Sequence, residues 1–146
     1  MFYNCASLTS APELPATTLT NSCYAYMFNG CTSLTTAPEL PATTLAEYCY
    51  GSMFRGCTSL TTAPELPAKD LADYCYYGMF QGCTSLNYVS AMFTTDISST
   101  TAYTSNWLNG VASSGTFVAN PDATWTSSIT RGDSTVPEGW EISPNY

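Results

Sequence analysis

The chain has 146 residues, eleven of them acidic and three basic, which gives a formal net charge of −8. This sign excludes nucleic acid and anionic membrane surfaces as expected partners, because both repel an acidic protein. No apolar stretch reaches the roughly 20 residues that a membrane-spanning helix needs, so direct membrane insertion is not expected. The first residues also lack the basic and apolar regions of a secretory signal.

A repeat of 26 residues dominates residues 1–90. The segment Ala-Pro-Glu-Leu-Pro-Ala recurs at 11–16, 37–42 and 63–68. The same step separates the members of three further rows: Met1, Met27, Met53 and Met79; Cys5, Cys31, Cys57 and Cys83; Leu8, Leu34, Leu60 and Leu86. A unit this short cannot bury its own apolar face, so the sequence predicts that successive units stack.

The first half of each unit is predicted to be extended. In the second unit, Pro38 and Pro41 exclude a helix interior and bias their neighbours towards extended backbone. Stacking would place the equivalent segments side by side in a parallel sheet, with strands only a few residues long because Pro38 cannot donate to a ladder.

The second half of each unit is predicted to be a helix of about three turns. Thr44 and Glu47 have the spacing of a capping box, and Gly56 follows as a C-terminal stop. Between them, Leu45, Cys49 and Met53 recur every fourth residue and would form one apolar face.

After Leu86 the repeat register ends. Residues 91–146 are predicted to form an irregular last coil and a C-terminal cap in the same structural domain as 1–90. Trp107, Trp125 and Trp140 would cover the end of the core, and a tryptophan-lined ligand pocket is the alternative. Met1 lies in the middle of a unit, so either the chain is cut from a longer one or its open first coil meets a partner.

The run Met-Phe-Arg-Gly-Cys-Thr-Ser-Leu at 53–60, followed by Leu-Pro and by Tyr-Cys-Tyr, resembles the bacterial-surface-protein (BspA-like) leucine-rich repeats. The resemblance implies a right-handed α/β leucine-rich-repeat solenoid, with one short strand and one short helix in each 26-residue repeat. Members of that family are mostly secreted or surface-anchored, and several are similar to adhesins. We therefore expect an extracellular or cell-surface location, with the export signal outside this chain.

The cysteines follow the repeat and number seven, which favours reduced core thiols over a disulfide framework. The chain has no histidine and no close cysteine pair, so no metal or other cofactor is expected. Without histidine, paired carboxylates or a nucleophile motif, an enzyme is not expected either.

Three sets of residues are the candidate ligand contacts. They are Thr36 with its 26-residue equivalents, the glutamates Glu13, Glu39 and Glu65, and the tyrosines Tyr24, Tyr50 and Tyr76. Exposed tyrosine rows bind glycans or protein, and half-buried packing is the alternative. The glutamates would stack with like charge, which favours solvent, a cation or a cationic partner.

A separate candidate is Arg131-Gly132-Asp133, the integrin-type adhesion tripeptide, in a predicted turn. The sequence as a whole predicts a non-catalytic repeat module that binds a protein or glycan partner. The alternative is a structural subunit that associates end to end through its open N-terminal coil.

Overall fold

The computed structural model describes residues 2–98, 100 and 102–144. Within these residues the regular elements are three strands and one 3-10 helix: β1 (Tyr88–Ala91), β2 (Gly115–Ala119), β3 (Trp140–Pro144) and the 3-10 helix Thr124–Ser127. The strands form one parallel sheet in the order β1-β2-β3.

The prediction of an α/β leucine-rich-repeat solenoid is wrong, because the described residues contain no α-helix. The segments predicted as helices are runs of overlapping turns. The N–H of Cys49 donates to the carbonyl of Ala46, three residues back, whereas the N–H of Tyr50 donates to Cys75 in the next repeat. In an α-helix both N–H groups would bond four residues back within the same segment.

The turns owe their shape to left-handed backbone at every fourth residue. In the second repeat these positions are Tyr48, Ser52 and Gly56, with φ of 55°, 51° and 75°. A residue in this region cannot continue a right-handed helix. Because the turns also repeat every four residues, they return the side chains of Cys49 and Met53 to the core, as a helix would.

Successive 26-residue segments lie directly against each other. The carbonyls of one turn segment accept hydrogen bonds from the N–H groups of the previous segment. For example, the carbonyl of Cys49 accepts from the N–H of Tyr24, with 3.0 Å between nitrogen and oxygen. Inside the stack, aromatic side chains of one row lie face to face across repeats with centroid distances of 5.5 to 5.6 Å. That row is Phe2, Phe28, Phe54 and Phe80.

The extended halves do not form strands in the proline-containing repeats. Parallel contacts there are isolated bridges, such as Ser10 with Thr36 and Thr18 with Thr44. The first strand, β1, begins at Tyr88, where Ser90 stands at the repeat position of Pro64. Ser90 has the N–H that proline lacks, so the ladder can continue into β2.

The C-terminal segment closes this end of the core with its three tryptophans. Trp107, Trp125 and Trp140 are at most 3 % exposed. Each indole N–H donates to a backbone carbonyl, and that of Trp107 reaches Thr135 at 2.7 Å. Phe93 stacks on Trp125 at 5.2 Å and completes the cluster. The three side chains are therefore packed in the core and are not open to a ligand.

Candidate functional site

The glutamate row lies on an exposed face, which we call the Glu–Pro face (residues 11–15, 37–41 and 63–67). Glu13, Glu39 and Glu65 are all exposed, whereas the next residue in each repeat, Leu14, Leu40 or Leu66, is buried. This alternation follows from extended backbone, in which neighbouring side chains point to opposite sides. The repeat therefore holds three carboxylates outwards in equivalent positions.

Shallow grooves separate the glutamates of neighbouring repeats. One has a volume of about 510 Å³ and is lined by Glu13, Glu39, Pro12 and Pro38 among others. The next, of about 530 Å³, lies between Glu39 and Glu65. Prolines on both sides hold the groove walls in one conformation, since their φ is fixed.

Thr36 lies at the edge of this face and is exposed. Together with Thr35, Thr61 and Thr62 it lines a smaller groove of about 280 Å³. The structure thus brings the predicted threonine and glutamates onto the same side of the molecule.

The predicted tyrosine row has a different place. Tyr50 and Tyr76 are 2 % and 1 % exposed, and Tyr24 is half-buried. Their rings stack at 6.1 Å between neighbours, and Tyr76 continues the stack onto Trp107 at 5.7 Å. Burial raises the pKa of both Tyr50 and Tyr76. Tyr50 and Tyr76 are core side chains that a ligand does not reach.

A second tyrosine cluster lies at the surface instead, on the side of the turns. Tyr48 and Tyr74 stack at 4.8 Å, and Tyr77 meets both rings edge to face. Desolvation in this cluster is the main cause that raises the pKa of Tyr48, and the hydroxyl of the neighbouring Tyr74 is the second cause. The contact of Tyr48 and Tyr74 with Tyr77 was not predicted, because the equivalent positions of the first two repeats, Ala25 and Gly51, are not tyrosine.

The adhesion tripeptide is part of the cap. The guanidinium of Arg131 donates from Nη1 to the carbonyls of Pro137 at 3.1 Å and Trp140 at 3.0 Å. The N–H of Gly132 donates to Val136, and the carbonyl of Asp133 accepts from Leu108. Arg131 therefore holds the C-terminal turn together, and of the three residues only Asp133 is exposed.

Five of the seven cysteines are buried: Cys31, Cys49, Cys57, Cys75 and Cys83. Burial raises the pKa of Cys49 to about 11 and that of Cys57 to about 12, so these thiols are protonated at neutral pH. Among the described residues no three Cys, Asp or Glu side chains come together in a group that could hold a metal ion. In the same part of the chain, no helix has the length and apolar character to cross a membrane.

No protein-family model, no curated protein and no solved structure matches this chain. Its function has to be argued from its own residues.

Proposed function

We propose that this chain is a non-catalytic binding module whose Glu–Pro face takes an extended, cationic segment of a partner protein. The observation that carries the proposal is the row of Glu13, Glu39 and Glu65, exposed in equivalent positions along proline-walled grooves. The extracellular or cell-surface setting that the sequence suggests belongs to the same proposal.

The charge arrangement supports a cationic partner. Carboxylates at the same position of neighbouring extended segments repel one another, because like charges follow each other along the stack. Lysine or arginine side chains spaced along a partner segment would relieve this repulsion in each groove. With eleven acids against three bases, the rest of the chain adds attraction of the same sign.

The rigidity of the Glu–Pro face favours a partner segment in an extended conformation. The prolines fix the backbone on both sides of each glutamate, so little conformational freedom is lost when a partner binds. The grooves also repeat at the period of the stack, and a partner that remains extended can follow them from one repeat to the next.

The test compares two triple variants of equal net charge. Glu13, Glu39 and Glu65→Gln neutralises the face. Asp70→Asn, Asp122→Asn and Glu138→Gln neutralises three exposed acids elsewhere. The probe is a ten-residue peptide of alternating lysine and threonine, titrated by calorimetry at several salt concentrations.

The proposal predicts that the glutamine variant binds the peptide about tenfold more weakly than the control variant, a loss of about 1.4 kcal/mol. Equal affinities of the two variants would show that only net charge matters and would refute the Glu–Pro face as the site.

The second candidate is a structural subunit that assembles end to end. One observation favours it: the carbonyl of Cys49 accepts the N–H of Tyr24, whereas the equivalent carbonyl of Cys23 accepts no backbone hydrogen bond from the described residues. Such an edge is a template for another coil. Light scattering over a concentration series tests it: a rising mass supports assembly, and a constant mass near 15.7 kDa refutes it.

A further inference from the structure

The three complete repeats differ from one another mainly on the turn side of the molecule. Three columns of equivalent positions vary most in size: Ser22, Tyr48 and Tyr74; Ala25, Gly51 and Tyr77; and Tyr26, Ser52 and Gly78. On the opposite side, the segment Ala-Pro-Glu-Leu-Pro-Ala is identical in all three. Because these columns vary, the turn side has one arrangement of side chains that occurs only once in the stack of repeats.

That place is built around the ring of Tyr48. Gly51 has no side chain, and a Cβ there would lie 3.3 Å from the Tyr48 ring. The missing side chain lets Tyr77 reach Tyr48 from the next repeat, with ring centroids 5.9 Å apart and planes at 64°. Tyr74 covers one face of the Tyr48 ring at 4.8 Å.

On the other side of Tyr48, towards the first repeat, the equivalent position has no ring to continue the stack. The ladder places Ser22 there, because the N–H of Ser22 donates to Glu47, just as the N–H of Tyr48 donates to Asp73. Ser22 is exposed and has a hydroxyl where the next two repeats have a ring. We call the place between Tyr48 and the exposed residue Ser22, where a third ring would otherwise stack, the slot.

Two further residues give the slot its chemistry. Tyr26 is 49 % exposed, its N–H donates to the carbonyl of Gly51, and its hydroxyl is one of the groups that raise the pKa of Tyr48. Glu47 is exposed and precedes Tyr48 directly, and its carboxylate contributes to the raised pKa of the Tyr48 hydroxyl. A ligand in the slot thus meets an aromatic face and a carboxylate at once.

We propose that this slot between Ser22 and Tyr48 binds the guanidinium of an arginine from a partner protein. The group is flat, so it suits a place where a ring would otherwise stack and packs on Tyr48, as guanidinium groups do on aromatic faces. Its N–H fork pairs with the carboxylate of Glu47. An ammonium group lacks the flat shape, and a neutral sugar ring gains no charge attraction from Glu47 or from the net charge of −8.

The test uses N-acetylarginine methylamide as the probe, with the lysine analogue and methyl glucoside as comparisons. Binding is followed by NMR through the backbone amides of Ser22 and Tyr48 and the ring protons of Tyr48. The expected result is a saturable shift at these residues with the arginine probe, and binding of the lysine probe that is about threefold or more weaker.

Two variants complete the test. Ser22→Tyr inserts the residue that the next two repeats have, in a backbone conformation (φ of 56°) that Tyr48 and Tyr74 already adopt at 55°. Its ring fills the slot and is expected to weaken arginine binding at least about tenfold. Glu47→Gln keeps the shape and is expected to weaken it about threefold.

Each result decides the matter. Unchanged binding by Ser22→Tyr, or no shift at Tyr48 with the arginine probe, would overturn the slot. Equal binding of the lysine probe, or a response to methyl glucoside instead, would overturn the assignment to arginine. The variants are first compared with the parent by circular dichroism, so that a folding defect is not taken for loss of the site.

Discussion

The thiol of Cys57 donates to the backbone carbonyl of Phe28 in the preceding repeat, with 3.2 Å between Sγ and the oxygen. The same carbonyl accepts the N–H of Cys31 at 3.1 Å. The relationship recurs one repeat later, where Cys83 donates to Phe54 at 3.0 Å. The cysteine row therefore fills space in the core and also links each repeat to the one before it.

Cys57→Ala is expected to lower the free energy of unfolding by about 1–3 kcal/mol, because it removes the thiol hydrogen bond and leaves a small cavity. Denaturation with urea measures the change. Cys23→Ala serves as the control, since Cys23 is exposed, and is expected to stay within about 0.5 kcal/mol of the parent. Equal losses in the two variants would contradict a structural role for the Cys57 thiol.

Thiol reactivity should divide the cysteines by burial. At pH 8 the folded protein is expected to react rapidly at Cys23, which is exposed, and at Cys5, which is half-buried. The buried thiols are shielded and, with pKa values such as about 11 for Cys49, remain protonated. A thiol reagent should therefore count two fast sites in buffer and all seven in denaturant. Fewer than seven in denaturant without reductant would reveal disulfides.

Alkaline pH should destabilise the fold. Burial raises the pKa of Cys57 to about 12, above the value of an unfolded thiol, which is about 8.5. The contribution of this protonated thiol to the free energy of unfolding is thus complete below about pH 8.5. It is lost as the pH rises towards the folded pKa, because only the unfolded chain releases the proton. Each such thiol contributes a slope of about 1.4 kcal/mol per pH unit in this range.

Urea denaturation between pH 8 and 11 measures that slope. Cys57→Ala removes one titrating group and is expected to make the slope shallower by up to about 1.4 kcal/mol per pH unit. Stability that stays constant up to pH 11 would contradict the raised pKa values of the buried thiols.

The cap contains two glycines whose substitution by alanine should change the stability by very different amounts. A Cβ at Gly115 would lie 2.6 Å from the carbonyl oxygen of Asn87 and 2.7 Å from the Trp140 ring, so Gly115→Ala forces the strands apart. We expect a loss of about 3 kcal/mol in the free energy of unfolding. At Gly132 a Cβ meets nothing within 4 Å, and Gly132→Ala should be nearly neutral. Thermal unfolding of both variants shows whether this order holds.

Arg131 should matter for stability rather than for cell adhesion. Arg131→Met removes the hydrogen bonds to Pro137 and Trp140 and is expected to cost about 1–3 kcal/mol. Arg55→Met, at an exposed position, is the control. Hydrogen exchange at the amides of β3 locates the effect. Adhesion of integrin-bearing cells that depends on Arg131 while Arg131→Met remains as stable as the parent would contradict this view.

The helix prediction shows where sequence reasoning is limited. Leu45, Cys49 and Met53 recur every fourth residue, and this period is compatible with a helix and with a chain of four-residue turns. Gly51 and Gly78 inside the predicted helices were the available warning, since glycine disfavours a helix interior. The periodicity alone did not distinguish the two.

The choice of tyrosine row was limited in the same way. Tyr48 and Tyr50 are two residues apart in the same repeat, yet Tyr50 is in the core and Tyr48 belongs to the surface cluster. Which of the two faces inwards depends on the left-handed φ of Tyr48, and a sequence pattern does not contain that angle.

The sequence by itself determined which residues meet across repeats, because an exact 26-residue period leaves one register in which Phe28 stacks on Phe54 and Tyr24 on Tyr50. It also placed Glu13, Glu39 and Glu65 at one position of the repeat, and all three are exposed. Only the tertiary structure decided the backbone of the second half-repeat. There every second N–H donates to a carbonyl 25 residues later, or 27 residues later in the third repeat, and local propensity does not register a partner so distant in sequence.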